Sequence, residues 1–241
     1  MNKKNMESID LDDLINGLSV ETLEFPQDIL ERDIYIFEEI SRDTSIRVCN
    51  QIRAINKDDL ELKMKNKDYI PEPINIFIDT FGGEVNAGFS IITAIKQSQT
   101  KVRGVVTGVC YSMGVPILIA CDERHSSTFA TLMLHSVSVE LMYGRSFHDY
   151  HQQAVKLSET NRKVKNFIVS EIPDIDEDFI ENILSQDKDE YIETEKALEL
   201  GIIHDCNFEK NGFFESDIQY VEPKEKEYKK SKNIKWKSKS N

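Results

Sequence analysis

The stretch TGVCYSMGVPILIA, residues 107–120, closes one β-type apolar run and opens a helix-like one, and at the junction it sets Ser112 two residues before Gly114. A serine ahead of an apolar helix is a favoured N-cap, because its hydroxyl accepts from the amides of the first turn. The same place suits a nucleophile, since a helix start favours developing negative charge and presents the N–H of Met113 beside it. Deciding between cap and nucleophile takes a base and a group that orients the base.

Outward from this stretch the chain alternates between strands and helices. VRGVVTG (102–108) reads as a strand, FGGEVNAGFSIITAIKQS (81–98) as a glycine turn opening a helix, and INIFID (74–79) as a buried strand. Before them, RDIYIF (32–37) is a short β-type run and DTSIRVCNQIRAI (43–55) places Ile46, Cys49, Ile52 and Ile55 at helical spacing. The charged stretch NKDDLELKMKNKDYIPEP (56–73), ending in two prolines, reads as a loop or a loosely held insertion. Downstream, RHSSTFA (124–130) and TLMLH (131–135) are strand candidates, followed by one long polar helix from Ser146 to about Glu171. The order β-α-β-α-β-α predicts an α/β layered fold with a largely parallel sheet.

Composition narrows the function classes. A chain of 241 residues, 39% hydrophobic, supports one main domain of roughly 150–200 residues. No apolar run is long enough to span a bilayer, so a cytoplasmic protein is expected. A net charge of −13 argues against nucleic acid as a partner. The charge is uneven: from Pro223 the tail holds eight lysines against two glutamates and reads as a solvated, disordered segment. Cys49, Cys110, Cys121 and Cys206 show neither a C-x-x-C pair nor metal spacing, and read as reduced, mostly buried residues.

Taken singly, the chemical candidates are ambiguous. Gly82 and Gly83 at a strand-to-helix turn expose backbone N–H groups, as an oxyanion site needs, and a plain turn uses the same pair. The elbow G-x-S-x-G of α/β hydrolases is not matched around Ser112, because Cys110 stands where glycine is required. His135 ends an apolar run, where histidines are usually structural. His125, His148, His151 and His204 sit among polar neighbours and are expected at the surface. Asp189 is one of 43 acidic residues and says little alone.

Together, GG, GVCYSMG, MLH and DKDEYIETEKALELGII, with ILERDIYIF at the start, make the chain resemble the caseinolytic (Clp) serine peptidase family, ClpP-like, over about Ile29 to Asp205. The resemblance implies an α/β fold of the ClpP/crotonase-like type, a spiral of ββα units with a protruding handle helix. It divides the chain into an N-terminal extension (1–28), a peptidase domain (29–210) and the lysine-rich tail (211–241).

The family's roles then fall on Ser112 as nucleophile, His135 as general base, Asp189 as the carboxylate that orients it, and the backbone N–H groups of Gly83 and Met113 as the oxyanion hole. Neither a metal nor a cofactor is implied for this chain, ATP being used only by a separate AAA+ unfoldase partner. Polypeptide substrates and a homo-oligomer of heptameric rings, or a tetradecamer of two rings, are implied as well. Two departures flank the substrate region: Ser136 and Val137 replace the usual Gln-Pro, and Thr80 and Phe81 the usual Ser-Pro. Asn75 puts a polar group, beside Phe77, on a strand where the family docks its ATPase through aromatic residues. The lysine of the Asp187–Lys188 pair stands where the family has an arginine that contacts the opposite ring. The alternatives are a catalytically silent architectural ring subunit and a crotonase-type acyl-CoA enzyme, whose chemistry uses carboxylates near an oxyanion hole rather than a serine with a histidine.

Overall fold

The structure, a computed structural model, describes residues 32–138, 146–186 and 188–206. The expected domain limits at 29 and 210, the extension and the lysine-rich tail lie outside the described residues, as does Asp187.

Strands β1 (Asp33–Ile36), β2 (Ile74–Thr80), β3 (Val102–Tyr111), β4 (Glu123–Ser126), β5 (Thr131–Leu134) and β6 (Glu190–Glu193) form a six-stranded sheet in the order β1-β2-β3-β5-β6, with β4 also paired to β3. All pairings are parallel except β5 with β6. Helices α1 (Arg42–Lys65), α2 (Val85–Lys96), α3 (Gly114–Ile119), α4 (Phe147–Glu171), α5 (Glu177–Ser185) and α6 (Thr194–Glu199) complete it. Isoleucine dominates the core, with Ile34, Ile36, Ile76 and Ile78 from the sheet facing Val48, Ile52, Ile91 and Ile95 from α1 and α2. All six residues of α3 are buried, so this short helix is the centre of the layer that covers the sheet.

One irregularity decides how the sheet is used. Between Ile78 and Thr80 the β2–β3 register shifts, with Ile78 opposite Val106 but Thr80 opposite Cys110. The extra residues on β3 bend it, so its first half pairs with β4 (Arg103 to Val106) and its last residues with β5 (Val109 to Tyr111). The Val109 amide is taken up by Asp79 Oδ1 at 2.9 Å. The outcome carries the C-terminal end of β3 to the edge of β5.

The segment read as a loop or loose insertion, 56–73, is corrected. Helix α1 runs through it to Lys65, and its inward stripe continues past Ile55 to a carboxylate, Asp59, only 4% exposed. That carboxylate is held by Arg32, by Thr100 Oγ1 at 2.5 Å and by the Tyr69 hydroxyl at 2.8 Å. A hydrophobicity pattern cannot see a buried charge whose partners lie far along the chain. Helix α5, which the periodicity reading passed over, carries its own start signal in Asp176, which accepts the amides of Asp178 and Phe179.

Helix α4 begins where expected, with Ser146 and Asp149 forming a reciprocal capping box. Of its 25 residues only Val164 and Ile168 are buried. Among the other histidines, His148 and His151 are exposed as anticipated, but His125 on β4 is half-buried, because its strand pairs with β3 on one side. All four cysteines are free, three of them buried.

Candidate active site

In parallel sheets, ligands gather beyond the carboxyl ends of the strands. Here the glycine turn follows β2, Ser112 follows β3 and His135 follows β5, and all three lie at that edge. Strand β6 runs the other way, with Leu134 opposite Glu190, so that Asp189, one residue earlier, faces His135, one residue later.

Ser112 does not cap α3. The helix starts at Gly114 with Met113 at its cap and no side-chain capping bond, so of the two roles the sequence left open for Ser112 the cap is not taken. Ser112 is the sole non-glycine with positive φ among the described residues, at +51°. This left-handed conformation costs a side-chain-bearing residue roughly 1–2 kcal/mol. It is held by the Ser112 amide donating to the Met133 carbonyl at 2.7 Å and by its own carbonyl accepting from Val115 at 3.2 Å. The strained turn frees the hydroxyl from capping: Ser112 Oγ lies 2.7 Å from His135 Nε2.

The glycine turn is fixed by its neighbours. Ile40 N–H donates to the Gly82 carbonyl at 2.8 Å, Glu84 N–H donates to the Ile40 carbonyl at 2.7 Å, and Gly82 N–H donates to Thr80 Oγ1 at 3.1 Å. Gly82 and Gly83 have φ of 97° and 146°, a region that favours glycine. A Cβ on Gly82 would stand 2.6 Å from the Ser112 Cβ, and one on Gly83 would strike the Ile40 carbonyl. Among the described residues, no hydrogen bond uses the amide of Gly83 or of Met113.

His135 Nδ1 lies 3.5 Å from Asp189 Oδ1, and the aspartate side chain is half exposed. The loop after His135 is tied to α4 by the Val137 amide, which donates to Asn161 Oδ1 at 2.8 Å. Sequence reasoning did not single out Asn161, since an asparagine on a polar helix carries no signal of its partner.

Ser112, His135, Gly83 and Met113 line one cavity of about 590 Å³, while Asp189 stands behind His135 and outside the lining. Cys110, two residues from Ser112, is no rival nucleophile: burial pushes its thiol far above the ordinary range, and burial likewise pushes Cys121 up to about 12. Phe37, Glu38, Glu39, Asp79 and Phe81 also line the cavity. No motif marked the first four of these, because they come from different strand ends. Among the described residues no group of three or more His, Cys, Asp or Glu is arranged to hold a metal, and no helix is long and apolar enough to cross a membrane.

The chain is similar to known proteins along most of its length. It is 24% identical over 190 residues to ATP-dependent Clp protease proteolytic subunit 2 of Rhodococcus jostii, covering 78% of this chain and 89% of that one. It is 28% identical over 142 residues to proteolytic subunit 1 of Chlamydia muridarum, covering 58% and 72%. A ClpP1 mutant from Listeria monocytogenes shares the fold, with a TM-score of 0.60 at 22% identity over 73% of this chain and 91% of that one. The model of the Clp protease family matches residues 24–210. With that span taking in every strand and helix described above, the chain belongs to the Clp protease family.

Proposed function

We propose that the chain is a serine endopeptidase of the Clp type that cleaves polypeptides through an acyl-enzyme on Ser112. The observation that carries this reading is the 2.7 Å approach of His135 Nε2 to Ser112 Oγ inside a cavity bordered by two unused backbone amides. With Nε2 as acceptor, the imidazole carries its proton on Nδ1, towards Asp189.

In the first half-reaction Oγ bonds to the scissile carbonyl carbon while its proton passes to His135 Nε2. The resulting oxyanion receives the N–H groups of Gly83 and Met113. His135 then returns the proton to the leaving amine as the C–N bond breaks, which leaves the acyl group on Ser112. In the second half-reaction His135 takes a proton from water as the water oxygen bonds to the ester carbon; the bond from that carbon to Ser112 Oγ then breaks, the carboxylic acid product leaves, and His135 returns the proton to Oγ.

Asp189 fixes the tautomer and stabilises the imidazolium. The reaction needs no cofactor in this chain. Assembly into heptameric rings, singly or as a fourteen-subunit chamber, belongs to the same proposal, as does an AAA+ unfoldase that spends ATP separately.

A specific observation favours a second reading, the catalytically silent ring subunit: the 3.5 Å gap between His135 and Asp189 is wider than a hydrogen bond. Membership of the Clp protease family leaves the crotonase-type alternative aside. Labelling the full chain with a fluorophosphonate and mapping the adduct distinguishes the remaining two. Adduct on Ser112, lost in Ser112→Ala, supports the peptidase; an unlabelled, uncleaving protein supports the architectural role.

A further inference from the structure

The cavity beside Ser112 carries charge of one sign. Its inner wall is apolar, formed in part by the buried Met113, Pro116, Leu134 and Val164. Its exposed lining includes three acidic residues, Glu38, Glu39 and Asp79, and neither a lysine nor an arginine is among the described residues lining it.

The three carboxylates are not equivalent. Glu38 pairs with Arg47, so its charge is already answered. Asp79 accepts one amide, from Val109, and pairs with no cation among the described residues. Glu39 is anchored through its backbone, its carbonyl accepting from Thr44 Oγ1 at 2.8 Å, while its carboxylate makes neither hydrogen bond nor ion pair among the described residues.

A lining that joins an apolar wall to unanswered carboxylates complements a side chain that is hydrocarbon along its stem and cationic at its tip. Lysine and arginine have that build. A leucine would satisfy the wall and leave the carboxylates unpaired, and a glutamate would bring a third uncompensated negative charge to them.

We infer, on the peptidase reading above, that this cavity selects basic residues: Ser112 cleaves peptide bonds flanked by lysine or arginine, and Glu39 is the specificity-determining carboxylate. Asp79 adds to the field but is also tied to the bend of β3, so Glu39 is the residue to vary.

Four internally quenched peptides that differ only at a central Lys, Arg, Leu or Glu test this on the full-length assembled protein, with fluorophosphonate labelling of the same sample. The basic peptides are expected to exceed the leucine peptide in kcat/KM by roughly fivefold at low ionic strength, the size of one partly screened ion pair, and the glutamate peptide to be slowest. Glu39→Gln narrows the ratio of lysine to leucine peptide. Glu39→Lys reverses the order of the lysine and glutamate peptides, a gain that misfolding does not produce. Labelled enzyme that cuts all four alike, or whose order is indifferent to both substitutions, overturns the basic selectivity and leaves the peptidase standing. Absence of both label and cleavage overturns the two together.

Discussion

Nδ1 of His135 and Oδ1 of Asp189 lie 3.5 Å apart, whereas on the other side of the ring Nε2 is 2.7 Å from Ser112 Oγ. On the proposed mechanism the base is thus docked on its nucleophile and loosely held by its orienter. Peptide bound in the cavity is expected to close the longer gap, since catalytic hydrogen bonds often tighten only in the substrate complex.

Asp189→Asn tests that closure. Asparagine keeps the shape but favours the wrong tautomer of His135, and kcat should fall on the order of 10⁴-fold, as in other triads. Unfolding midpoints should stay put, because the Asp189 side chain is half exposed. A loss below tenfold assigns the orienting role elsewhere.

Gly82→Ala should remove activity and cost roughly 1–3 kcal/mol of stability, since alanine there must bear a φ of 97° and place its methyl 2.6 Å from the Ser112 Cβ. Thermal melting with fluorophosphonate labelling reads both effects. Wild-type labelling in the variant would show that the turn yields without moving Ser112.

Asp59→Ala should destabilise the chain by about 3–5 kcal/mol, because it strands Arg32 without its buried partner. Burial by itself would raise the Asp59 pKa, but hydrogen bonds from Arg32, Thr100 and Tyr69 outweigh it and hold the carboxyl below its usual range. The stability this contributes is present above the unfolded value of about 3.9 and is lost as pH falls through the folded one. Urea midpoints at neutral pH measure the first effect, and an acid titration of wild type against variant the second.

His204 titrates in the opposite chemical sense with the same direction on pH. His204 is exposed, as the sequence suggested, but partial desolvation of its ring, helped by the neighbouring Arg124 and His125, lowers its pKa to about 4, and its Nδ1 accepts the Arg124 amide at 3.2 Å. The unfolded chain therefore binds this proton first, near pH 6.5, and stability falls between about 6.5 and 4 as pH drops. His204→Gln should lose less of its urea midpoint than wild type between pH 7 and pH 5. Equal losses would place the acid sensitivity on other groups.

The proposed rings make a prediction about α4. Phe147 is 88% exposed and Val155 46% on a helix with only two buried residues, a surface that pairing of rings would cover. Sedimentation should show seven or fourteen subunits, with fourteen losing ground as salt screens exposed ion pairs. A monomer at both low and high salt removes the chamber from the proposal.

The alternation of strands and helices, the capped start of α4 and the apolar α3 were legible in the sequence, because each depends on neighbours within a turn or two. Ser112, His135, Gly83, Met113 and Asp189 were also named from it, through the ordered motifs of a resembled family rather than from any one residue's surroundings. Tertiary structure alone decided the rest. The register of β5 on β6 sets Asp189 opposite His135, the bend at Asp79 brings β3 to β5, and the left-handed turn makes Ser112 a partner of histidine rather than a helix cap. The same is true of the buried Asp59 and of the acidic lining around Glu39. Each of these joins residues tens of positions apart, and whether a carboxylate there is solvated, paired or poised for a ligand depends on what the fold packs beside it.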